Sequence, residues 1–275
     1  MWDALQFEFM RNALLAGILV SISCGIIGTL IVVNRIVFIS GGIAHSAYGG
    51  IGLAFYTGIS PTLGAALFSV AVAIIMGAIS VENKQRADTL IGVLWAVGMG
   101  IGIILIDLTP GYNVDLMSYL FGSILSVPRA DIWFMIPLDI VILLTVLLLY
   151  KEFIAMSYDE EFAFVVGIPV KTLYFVLLCM TALSIVMIIR VVGLILVIAL
   201  LSIPPYIAEK YTSSLGKMMV LSSLLGILFT LSGLWLSYNY DLTSGATIIM
   251  VAGASFFISQ AVDVLKGRRH SARSV

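Results

Sequence analysis

The chain has 275 residues, of which 61% are apolar and 11% charged, with a formal net charge of -1. A soluble domain carries roughly 25% charged and about 45–50% apolar residues, and a mean hydropathy of +1.15 leaves too little polar surface for a water-soluble particle. A soluble enzyme, a disordered chain and a nucleic-acid binder relying on a basic field are excluded.

Stretches without Asp, Glu, Lys or Arg measure the spans, since a helix needs about 20 mostly apolar residues to cross a bilayer. The first stretch runs from Asn12 to Asn34. Asp3 and Glu8 precede Arg11, the only early cation, and no small-x-small site follows, so a retained span is expected rather than a cleaved signal. The second stretch, Ile36 to Val81, has room for two spans, with Gly58-Ile59-Ser60-Pro61 as the turn between them. Within it Gly41, His45, Gly49 and Gly52 fall on one helical stripe. Small residues admit a second backbone at close range. An intramembrane imidazole there is either a hydrogen-bonded interhelical group or a ligand for a borderline divalent metal.

The fourth span is Thr89 to Ile106. The outer connection from Asp107 to Arg129 contains Asp115 and has an apolar second half too short to cross, which reads as a re-entrant or interfacial helix or, failing that, a surface loop. The fifth span, Ile132 to Tyr150, carries Asp139, which needs a partner or a neutral state in lipid. Next comes an inner connection with Ser157 or Asp159 as N-cap, then Glu160 and Glu161, Phe162 and Ala163, with Gly167, Ile168 and Pro169 closing a short helix. Its acidic tip suits docking into a groove of a soluble partner better than lying on headgroups, where basic helices predominate.

Thr172 to Ile189 and Val191 to Ala208 read as two spans split at Arg190, and Pro204 and Pro205 are expected to break the second. Met218 to Tyr240 and Leu242 to Val262 complete the set, with Asp241 as N-cap of the last. The expected architecture is an all-α polytopic membrane protein of about nine spans, with eight or ten as neighbouring counts, forming one membrane domain over residues 1–275. Nine spans put eleven Lys and Arg residues on one side and three on the other. The first side is then cytoplasmic, with the C-terminus inside and the N-terminus outside. Cys24 and Cys179 form no disulfide framework, and no Walker A motif, H-E-x-x-H or G-x-S-x-G triad occurs. The chain is expected to be no enzyme, and any ATP hydrolysis belongs to a separate chain.

Several segments together resemble the membrane permease subunits of ATP-binding-cassette importers for zinc, manganese and iron. They are Gly42-Ile43-Ala44-His45, residues 118–125, Asp159 to Ala163 with Gly167-Ile168, Val192 to Leu196 leading to Ser202-Ile203-Pro204, and Asp241 with Gly245-Ala246. The resemblance implies a pore formed by two permease copies in a bacterial inner membrane, ATPase subunits docked around residues 159–168, and an extracytoplasmic metal-binding protein delivering the ion. The divalent ion is cargo rather than a resident cofactor. Many members of that family carry Asp four residues before this His, where this chain has Gly41. That leaves His45 as the metal contact, with Asp107, Asp115 or Asp139 as candidate oxygen ligands. An ion-coupled secondary carrier and a non-transporting assembly subunit are the alternative readings; the first calls for more buried carboxylates and an internal repeat.

Overall fold

The structure, a computed structural model, describes residues 6–82, 87–110, 122 and 124–271. Lipid offers no hydrogen bonds, so each crossing must satisfy its own backbone, and helices account for nearly all of the described chain. They are α1 (Glu8–Val33), α2 (Val37–Thr57), α3 (Pro61–Glu82), α4 (Ala87–Asp107), α5 (Arg129–Leu148), α6 (Tyr150–Tyr158), α7 (Glu160–Val165), α8 (Val170–Val192), α9 (Leu194–Glu209), α10 (Leu215–Tyr240) and α11 (Ser244–Ser271). Eight are long and apolar enough to cross a membrane, whereas α9 is shorter. At 1.5 Å per residue its 16 residues reach only about 24 Å.

The helices sort by burial. α1 and α2 are enclosed on most sides, and α8 nearly so, whereas α4, α5 and α11 turn most of their apolar surface outward. Trp133, Leu144, Leu148, Met250 and Phe257 are all exposed, as expected where acyl chains rather than water surround the protein. α1 packs on α5, α8, α9 and α10, and α2 packs on α3, α4, α8 and α9. α1 and α2, the second carrying His45, thus form the centre of the bundle.

Three expectations are corrected in detail. The division expected at Arg190 falls at Gly193, because a charge does not interrupt helical hydrogen bonding. Gly193 adopts φ 77°, ψ 169°, a region essentially restricted to glycine. The second correction concerns Pro204 and Pro205, which lie buried inside α9 without ending it. Pro205 removes the donor that would reach Leu201 O. Gly28 of α1 faces that carbonyl, and a Cβ there would stand 2.5 Å from it. Third, Asp241 is the left-handed C-cap of α10 at φ 50°, ψ 41°, rather than the N-cap of α11, which begins at Ser244.

Of the outer connection, residues 111–121 and 123 lie outside the described residues, and with them most of the expected re-entrant helix. The described remainder is a 3-10 turn, Ile124–Ser126. Ile124 and Val127 are buried, and Asn12 Nδ2 donates to Val127 O at 3.2 Å.

Candidate translocation site and docking knob

His45 is half-buried on α2, where its Nδ1 lies 2.9 Å from Gly41 O. A carbonyl oxygen only accepts, so Nδ1 carries the proton and Nε2 keeps a lone pair. Trp95 of α4 stacks on the imidazole, with ring centroids 4.1 Å apart and planes 28° from parallel. Phe38, two turns earlier on α2, lies 6.0 Å from the Trp95 ring. A Cβ at Gly41 would make ordinary contacts, 3.5 Å from both Trp95 Cζ3 and Ile198 Cδ1. The tight approach comes further along the stripe. A Cβ at Gly49 would lie 2.8 Å from Gly98 O, and one at Gly52 would overlap the Gly102 backbone. Ser46 Oγ donates to Leu94 O at 3.2 Å across the same pair. α2 and α4 are thus fastened backbone to backbone beyond His45.

Two of the candidate carboxylates, Asp107 and Asp139, stand apart from this pair. Asp107 is the exposed last residue of α4, and Asp115 lies outside the described residues. Asp139 is buried on α5, where its Oδ1 accepts from Ser23 Oγ of α1 and its Oδ2 has no hydrogen-bond partner. Among the described residues no cluster of three or more His, Cys, Asp or Glu side chains is arranged to hold a metal ion.

The inner connection bends at Asp159 (φ −153°, ψ 99°) and so forms two helices, α6 and the six-residue α7. Asp159 Oδ1 accepts from Phe162 N at 2.8 Å, so Asp159 is the N-cap. Ser157 Oγ accepts instead from Asn34 Nδ2 at 3.0 Å, which ties α6 to the end of α1. Gly167 (φ 93°) closes α7: its N–H donates to Phe164 O and that of Ile168 to Ala163 O, both at 3.0 Å, the Schellman arrangement. Ala163 is fully buried, while Phe164 is 73% and Val165 82% exposed. Phe162 and Tyr158 extend this surface, and Glu161 is exposed beside it. The connection is therefore a knob, capped at both ends, with an apolar crown and an acidic first turn.

A cavity of about 520 Å³ opens beside the knob, lined by Arg35, Phe38, Asp88, Ile91, Glu160 and Lys171 among others. Trp95 and this cavity were not singled out from sequence. A lone Trp in an apolar span carries no local signal, and the cavity joins three stretches distant in sequence, around Arg35, Asp88 and Lys171.

Eight long apolar helices, two of them enclosed by the others, define a multi-pass membrane protein. The ABC 3 transport family matches residues 6–263, and the chain belongs to that family. It is 54% identical to an uncharacterised membrane protein of Synechocystis sp., over 95% of this chain and 93% of that one. It is 34% identical to the manganese transport system membrane protein MntC of Listeria monocytogenes, over 93% of this chain and 91% of that one. The solved structure of PsaBC from Streptococcus pneumoniae in complex with Fab contains a chain that matches with a TM-score of 0.85 and 32% identity, covering 94% and 93% of the two chains.

Proposed function

We propose that the chain is the permease of an ATP-driven importer for a divalent transition metal, with manganese foremost and zinc and iron as competitors. Two copies form the pore, separate ATPase subunits dock on the knob, and an extracytoplasmic metal-binding protein delivers the ion. The knob faces the cytoplasm of a bacterial cell, as the distribution of Lys and Arg indicates. The observation that carries the reading is similarity along almost the whole chain to a membrane protein named for manganese transport. His45 is the ion contact within each chain, and its tautomer leaves Nε2 available to a metal. One imidazole makes a weak site, which suits an ion that must leave as well as enter. Transport then proceeds by a switch between outward and inward access, driven from the knob.

The test is uptake of radioactive manganese by cells expressing the complete transporter, with zinc and iron as competitors. Wild type is expected to show ATP-dependent uptake that His45→Ala abolishes. Uptake that persists in His45→Ala at the wild-type rate contradicts the assignment of the ion contact, and an absence of metal-stimulated transport contradicts the function.

A further inference from the structure

We propose that Trp95 is the gate between His45 and the cavity beside the knob, a positioning residue for the transported ion. The inference rests on the importer reading, which makes that cavity the inner vestibule.

The geometry begins with one face of α4. Asp88, Ile91 and Trp95 follow at i, i+3 and i+7, so they share a stripe. Asp88 and Ile91 line the cavity. On α2 the matching stripe runs Phe38, Gly41, His45. Phe38 lines the cavity too, touches Trp95 at a centroid distance of 6.0 Å, and Trp95 in turn covers His45 at 4.1 Å. Phe38, Trp95 and His45 thus form one row from the vestibule wall to the imidazole.

An ion leaving His45 along this row meets aromatic carbon before it meets Asp88. A hydrated or singly ligated divalent cation is poorly accommodated by such a surface, and apolar constrictions close pores by excluding water. A Cβ at Gly41 would meet the indole at only 3.5 Å, an ordinary contact, so a small side chain fits beneath the ring. The close backbone approach at Gly49 and Gly52 pins α2 to α4 beyond the ring pair. Opening therefore consists of a change in the Trp95 side chain or in the knob-side ends of the two helices, with the far halves left in place.

The experiment reads accessibility, so it does not depend on the identity of the cargo. In the complete transporter, Cys24 and Cys179 are changed to Ser and Gly41 to Cys, and the vesicles are exposed to a charged, membrane-impermeant thiol reagent from the knob side or the opposite side. With Trp95 present, labelling from the knob side is expected to be slow. Trp95→Ala should raise that rate roughly tenfold, while Trp95→Phe, which keeps an aromatic ring, should change it less than twofold. Trp95→Leu keeps bulk and helix propensity and serves if Trp95→Ala lowers the thermal transition; its expected rise is also severalfold. Equal knob-side rates with Trp, Ala and Leu at position 95, or a rise seen only from the opposite side, overturn the gate. If His45→Ala abolishes uptake while these rates stay equal, the gate alone falls. If no transport exists but the rates rise, the barrier stands and the importer reading falls.

Discussion

His45 offers a metal one nitrogen and cannot readily offer the other. Its Nδ1 is engaged by the carbonyl of Gly41 on its own helix, which fixes the ring orientation as an outer-shell partner does for a metal-bound imidazole. Loss of the ring should remove transport with little effect on folding, because α2 and α4 are joined mainly elsewhere. The tight join is at Gly49 and Gly52. For Gly52→Ala the added methyl meets the Gly102 backbone, and overpacking of this kind destabilises by about 1–3 kcal/mol. The thermal transition in detergent should fall accordingly, whereas Gly41→Ala, with ordinary contacts around its Cβ, should leave it near wild type. Asp139 should behave differently from both. Asp139→Asn keeps an acceptor for Ser23 and should retain stability and uptake. Asp139→Lys should abolish assembly, since it places an unpaired cation in the α1–α5 interface. The sequence showed that Asp139 needed a partner, but Ser23 lies 116 positions away, a separation that no local pattern reports.

At the scale of elements the knob was the most legible feature, because its chemistry is local. Asp159 as cap and Gly167 as stop follow from the needs of unsatisfied helix ends. Between Ser157 and Asp159 the cap is Asp159, which accepts from the Phe162 amide, while Ser157 is engaged by a distant residue, Asn34. Gly193 was missed for the opposite reason. The nearby arginine gave a stronger signal in the hydropathy pattern than a glycine whose backbone angles become visible only in three dimensions. The proline pair misled because α9 tolerates them: Gly28 makes room on α1 for the carbonyl that Pro205 leaves without a donor. Asp159→Ala removes the side-chain acceptor of the Phe162 amide, and N-cap loss destabilises by about 1 kcal/mol. Hydrogen exchange of the Phe162 amide should accelerate roughly fivefold while the long helices keep their protection. Lys210 Nζ meets Asp263 Oδ2 at 2.6 Å and Ser259 Oγ at 3.2 Å, tying the end of α9 to α11. Asp263→Asn weakens a partly exposed pair of about 0.2–1 kcal/mol, so the thermal transition should drop slightly and less in high salt than in low salt.

At the scale of the whole molecule, composition alone fixed the environment, because 11% charged residues cannot cover a protein of this size in water. Hydropathy then gave the crossings to within one, the short α9 being the marginal case. What composition could not give was which helices lie inside, since an apolar helix against lipid and one against protein look alike in sequence. The outward surfaces of α4, α5 and α11 and the enclosure of α1 and α2 emerge only from packing. The account's central claim is that a knob on one face drives ion passage at His45 through a separate ATPase. The most direct measurement is ATP-dependent manganese influx into proteoliposomes holding the permease and its ATPase, with wild type compared to Glu161→Lys/Phe162→Ala. The account predicts that the double variant folds with an unchanged thermal transition, loses bound ATPase on size exclusion and loses influx. Influx at the wild-type rate with the knob altered in this way would contradict it.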